Sequence, residues 1–191
     1  MLKNKTFEKE ELKGQDLENE IFVSCRFIGC DLRFTSFRNC EFKVCDLTGC
    51  IFDMTSFFGC KFPETKLSNL NFSEVSIKEC DFSLCVAENC IFEQFRDKAK
   101  VIRKSFDLRN SNFSHANFSR SIFNFCNLAK NSFNESNLEG VVFERCDLSE
   151  TDFNGANITG VNFNNSKIDK TKLDLNGFIH FGNSKGFVIS Q

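Results

Sequence analysis

The sequence predicts an all-β solenoid, in which short extended segments are joined by bends and wound into stacked coils. Three observations predict it. Large apolar residues recur every five positions, small residues stand two positions before them, and glycines gather two positions after them. Five matches neither the helical period of about 3.6 nor the strand period of 2.

The apolar series opens at Phe7 and steps through Leu12, Leu17, Phe22 and Phe27 to Phe92, with Ala87 as its one small member. It resumes one residue out of step at Leu108 and runs through Phe113, Phe118 and Phe123 to Leu173. Of the 26 Phe residues, 18 lie at these centres, and the chain has no Trp or Tyr. All 11 Cys fall in the phase two before a centre, beside Thr35, Thr55, Ser111, Ser121 and their like. Seven of the 10 Gly fall two after a centre.

Residues two apart on an extended segment point to the same side, so the centre and the small residue before it can both face inward. The other three positions carry Asn, Asp, Ser, Lys and Gly, which suit corners. Repeated bends then wind the chain into coils that pair at about 4.8 Å and bury their inner face by stacking. The period fits a four-sided coil, aligning Phe22, Phe42, Phe62 and Phe82. It also fits a three-sided coil, aligning Phe7, Phe22, Phe37 and Phe52.

The runs Cys25-Arg26-Phe27-Ile28-Gly29, Cys45-Asp46-Leu47-Thr48-Gly49 and Ala156-Asn157-Ile158-Thr159-Gly160 resemble the pentapeptide-repeat family. That resemblance covers about residues 7–173. It implies a right-handed, quadrilateral parallel β-helix, here of about eight coils and roughly 40 Å long at about 4.8 Å per coil.

The elements follow in order. At the N-terminus Lys5, Glu10 and Gln15 replace the small inner residue, as a capping coil needs at an open edge. The repeat domain is expected over 1–173, interrupted at 93–107. Five basic residues of that interruption, Arg96, Lys98, Lys100, Arg103 and Lys104, outnumber three acidic ones and form a candidate contact loop. Ile102 is a candidate core centre within it. Residues 174–191 form a capping or dimerisation tail. Asp174 is expected to N-cap a short helix with an apolar face of Leu175, Phe178, Ile179 and Gly182. Gly186 then precedes a strand-like run, Phe187-Val188-Ile189. Leu175, Phe178, Ile179, Phe181, Phe187, Val188 and Ile189 are together too apolar for a free tail, and are expected to pack on the last coil and offer a homodimer surface. Lys172-Leu173-Asp174-Leu175 and this tail resemble the quinolone-resistance (Qnr-type) pentapeptide group, whose tail joins two rods.

Composition excludes several classes. With 24 Lys+Arg against 26 Asp+Glu, the net charge of −2 does not suit a direct nucleic-acid binder. No apolar run reaches the roughly 20 residues that cross a bilayer, and no secretory signal follows Met1. Reduced thiols in a cytoplasm are therefore expected. No Cys-x-x-Cys pair suggests a metal, and no Gly-rich loop suggests a phosphate cofactor. His115 and His180 have no nucleophile beside them, while Asp46, Asp147 and Asp152 fall at outward positions. No enzyme and no cofactor are expected. The residues point to a protein–protein interaction rod with an unidentified partner. The Qnr-type resemblance implies instead a DNA mimic that binds type II topoisomerase (DNA gyrase) and protects against quinolones. Residues 1–92 carry 15 acidic and 11 basic side chains, whereas 108–173 carry 7 of each.

Overall fold

The computed structural model describes residues 1–93 and 105–190. Parallel pairing joins residues 20 apart, as in Leu2↔Phe22, Phe22↔Phe42 and Phe37↔Phe57. Four steps of five therefore close one coil, and the four-sided alternative is the one adopted. One core column runs from Leu2 through Phe22, Phe42, Phe62, Phe82, Phe113, Phe133 and Phe153 to Leu173. Across the interruption the pairing step lengthens to 31 residues, as in Asp81↔Asn112 and Val86↔Asn117. Ile91–Glu93 and Phe106–Asp107 both belong to the ladder on either side of it. Phe106 is buried in the phase that Cys or Thr holds in other coils. Ile102 lies outside the described residues.

Two opposite faces carry most of the rings. Phe42 and Phe62 stack at 5.2 Å, Phe82 and Phe113 at 5.4 Å, and Phe92 and Phe123 at 4.7 Å, all nearly parallel. Contacts between columns are edge-on, as for Phe113 and Phe123 at 85°. The 4.8 Å rise of a parallel ladder imposes stacking within a column, and the ring quadrupole favours edge contacts between columns.

The small inner residues do more than fill space. Their side chains donate to the carbonyl of a centre 23 residues earlier: Thr55 to Leu32 at 2.7 Å, Cys50 to Phe27 at 2.9 Å, Thr151 to Leu128 at 2.9 Å and Cys146 to Phe123 at 3.2 Å. Several hydroxyls in this phase also accept an N–H from the previous coil. Ser121 accepts from Cys90 at 2.9 Å and Ser166 from Cys146 at 3.0 Å. Cys, Ser and Thr thus satisfy buried backbone groups that Ala would leave bare. All 11 Cys are buried and free.

Corners turn through a left-handed residue two after each centre. The seven glycines of that phase have φ between +63° and +72°, and Asn39, Asn69 and Asn89 share the conformation. At Gly59 space also matters, because an added Cβ would lie 2.5 Å from Asn39 Oδ1. Asp or Asn just before a centre caps the bend by accepting the N–H two residues on, as Asp46 does from Thr48 and Asn157 from Thr159.

At the N-terminal end the ammonium of Lys5 lies 4.6 Å from the Phe7 ring centroid and pairs with Glu11. Asp31, only 2% exposed, accepts from Arg33 and pairs with Lys13 at 2.7 Å. The pair ties the first turn to the second coil. The Arg33 guanidinium, and then Lys13, hold the Asp31 carboxyl well below the usual carboxylate range against the opposing cost of burial.

Candidate interaction surfaces

Inward positions are filled, so the surfaces available for recognition are the outer faces, the corners and the two ends. In the second half charges pair along columns: Lys130 with Glu150, Lys167 with Asp147 and Lys172 with Asp152, each 20 residues apart and 3.7–3.9 Å. His115 sits at an exposed corner, 3.3 Å from Glu135. Glu88, Asn117, Asn137 and Asn157 form a hydrogen-bonded ladder down one face. In the first half, Glu41, Asp53, Glu64, Glu74 and Glu79 form no ion pair among the described residues, so its excess of acid faces solvent unneutralised.

The candidate contact loop of Arg96, Lys98, Lys100, Arg103 and Lys104 lies outside the described residues. The tail is described to Ser190. Its helix spans Leu175–Ser184, N-capped by Asp174 as expected. One carboxylate oxygen of Asp174 accepts from Gly177 at 2.6 Å and the other accepts from Gly155 at 3.0 Å. One side chain thus caps the helix and fastens it to the corner of the previous coil. These N–H groups, Gly177 first, hold the Asp174 carboxyl below its ordinary range.

The face that packs differs from the expected one. Gly177 is buried, Phe181 meets Phe163 edge-on at 6.0 Å, and Ile179 is half-buried. Leu175 and Phe178 are 75% and 59% exposed. The Asp174 fastening sets the helix rotation. A Cβ on Gly177 would come within 3.2 Å of Leu173, so only glycine permits this approach. The run Phe187-Val188-Ile189 is not a strand, and all three residues are exposed. Gly186, at φ +85°, ends the helix by donating to Asn183, while Phe187 donates to Gly182, both at 3.0 Å. The chain is thereby turned away from any strand partner. The expectation that these residues all pack on the last coil is therefore corrected. Leu175, Phe178, Phe187, Val188 and Ile189 stay outside, and Phe178 walls a shallow apolar groove with Phe153, Phe163, Ile168 and Leu173.

One surface escaped the reading of periodicity. Phe34 and Met54 are 60% and 65% exposed on stacked corners, and Phe58 is exposed on the adjoining strand. Their signal in the sequence was a bulky apolar residue in the phase that Gly and Asn otherwise hold. Among the described residues no group of three or more His, Cys, Asp or Glu is placed to hold a metal ion, and no helix is long and apolar enough to cross a membrane.

Comparison with known proteins adds the following. The model described as "Pentapeptide repeats (8 copies)" matches residues 25–62 and 55–94, and "Pentapeptide repeat region" matches 102–173. No curated protein matches the chain. Among solved structures, a trypsin-treated variant of QnrB1, a plasmid-mediated fluoroquinolone resistance protein, is 22% identical with a TM-score of 0.72, over 100% of this chain and 97% of that one. Full-length QnrB1 is 20% identical with a TM-score of 0.51, over 97% of each chain. At these identities the likeness is one of fold.

Proposed function

The chain belongs to the pentapeptide-repeat family, and from that premise we propose that it acts without catalysis, as a rigid rod that a protein partner reads from outside. The observation that carries this reading is the division of labour within each repeat. Every coil spends its inward positions on a filled core of stacked rings and hydrogen-bonded thiols and hydroxyls. What varies from coil to coil is the outward set at 4.8 Å spacing. A ladder held this firmly presents side chains with little ordering cost on binding. The chain immobilised through its N-terminus should retain a stoichiometric protein from a cell extract. Retention of none would sink the reading.

A second reading has specific support. The likeness to QnrB1 runs end to end, and the unpaired acid lies in the first half of the rod. In this reading the rod occupies a DNA site on DNA gyrase, a type II topoisomerase, and protects it from quinolones. Supercoiling by gyrase with and without a quinolone tests it: protection should weaken steeply between about 50 and 200 mM salt, because charge contacts are screened. No effect of the protein on supercoiling under either condition removes this reading and leaves the first.

The tail serves both readings as an end cap and as the joint of a homodimer. Exposed Leu175, Phe178, Phe187, Val188 and Ile189 beside the apolar groove support the joint. We place the protein's working environment in the cytoplasm, where its 11 buried thiols would stay reduced.

A further inference from the structure

The strip formed by Phe34, Met54 and Phe58 carries a cost that the fold does not require. Phe34 and Met54 have φ of +63° and +60°, a left-handed conformation unfavourable for side chains with a Cβ. Both also project bulky apolar groups into water. The same corner column begins with Gly14, and the opposite corner of this face holds Asn19, Asn39 and Gly59, residues that turn there without such a cost. Strain and exposure coincide on consecutive coils, which is how backbone outliers mark function.

The intervening strands give the strip its shape. Ser36, Ser56 and Ser76 pair in register down the middle of the face and leave a low floor. Phe34 and Met54 wall one side. Arg38, Phe58 and Lys78, also in register, wall the other. Arg38 and Lys78 are exposed and form no ion pair among the described residues. Glu18 lies one rung below Arg38, and Glu74 follows Met54 at the corner, so acid bounds the strip at both ends.

We propose that this strip is a docking site for an extended protein segment in which two acidic side chains flank an apolar pair. Arg38 and Lys78 stand two rungs apart, about 9.6 Å at 4.8 Å per rung. An extended chain advances about 10 Å in three residues. Acids at i and i+3 therefore meet the two cations, and the apolar side chains between them lie on Phe58, Met54 and Phe34 over the serine floor. The segment runs along the rod. This rests on the protein-binding reading above and names the chemistry of the partner.

The test uses the full chain and a fluorescein-labelled ten-residue peptide with Glu at i and i+3 around Leu and Phe, followed by anisotropy. Saturable binding is expected, weakened at least tenfold by F34G/M54G and by R38E/K78E. A peptide with Lys in place of Glu should bind at least tenfold more weakly. F34G/M54G should also melt a few degrees higher than the parent, because relief of strain stabilises while the site is lost. Absent binding, binding untouched by either double variant, or equal binding of the Lys peptide overturns the proposal. So does a lower melting point for F34G/M54G, or the finding that the variants instead abolish self-association or adhesion to anionic phosphatidylglycerol vesicles. A parent chain that ignores the peptide yet still retains a protein from extract fails the strip and leaves the interaction reading standing.

Discussion

Phe62 is fully enclosed, stacked between Phe42 and Phe82 at 5.2 and 4.9 Å, so it has no space into which neighbours can relax. Phe62→Ala is expected to cost about 3–5 kcal/mol in urea unfolding. Thr55→Val keeps shape but removes the donor to Leu32, and should cost about 1–3 kcal/mol by leaving a buried carbonyl bare. Thr55→Ser should recover most of it; equal losses in both variants would show that the hydrogen bond is irrelevant. Periodicity alone would treat a corner such as Asn69 as indifferent. Its φ of +62° says otherwise: Asn69→Val should cost about 1–2 kcal/mol, while Asn69→Gly should be near neutral. Asp31 sets an acid limit. Its folded-state carboxyl is held low by Arg33, so its contribution is full above the unfolded value near pH 4 and is lost as pH falls below it. Asp31→Asn should flatten the dependence of stability on pH below about 4, measured by denaturant titration.

Among the elements the tail is the one whose placement hangs on a single side chain. Asp174 satisfies Gly177 at the helix start and Gly155 on the previous coil. Asp174→Ala should cost about 0.5–2 kcal/mol of cap stability. It should also raise amide exchange across 175–184, while exchange in the coils around Phe82 stays unchanged. Because that carboxyl is also held low, the same loosening should appear in the parent chain as pH falls below about 4. Removing 174–191 exposes Phe163 and Leu173 and should yield aggregates by light scattering. The expected helical face failed for a definable reason. An i, i+3, i+4 pattern reports which residues are apolar, but a ten-residue helix fastened at its first turn is rotated by that fastening. Gly177, which carries no apolar signal, marks the contact.

As a whole the rod holds its 11 Cys out of solvent. Burial pushes the Cys45 and Cys90 thiols up to about 12, so little thiolate is present at neutral pH. A hydrogen bond with Cys60, and then burial, raise Cys40 as well. The intact protein should therefore react slowly with a bulky thiol reagent, and unfolding should release all 11 thiols together. Rapid labelling of Cys40, Cys60 or Cys80 in the folded chain would contradict the inward phase. Every coil pairs with its neighbours alone, so the interruption near residue 100 is the place where cooperativity could divide. A single unfolding transition by circular dichroism is expected if pairs such as Asp81↔Asn112 couple the halves.

Much of this was written in local chemistry. A five-residue rhythm, a small inner phase and glycine at the corner each follow from backbone geometry within one repeat, so Phe62, Cys60 and Gly59 declare their roles from the sequence. The Asp174 cap is equally local. Other features depend on which residues meet across coils. The choice of four sides is made by hydrogen bonds between residues 20 apart, and the bypass at the interruption by pairs 31 apart. The acceptor of each inner thiol or hydroxyl lies 23 residues away, the burial of Asp31 depends on Lys13, and the strip of Phe34, Met54 and Phe58 exists only when coils stack. A period records the direction in which a side chain points; only the closed coil decides what it meets there.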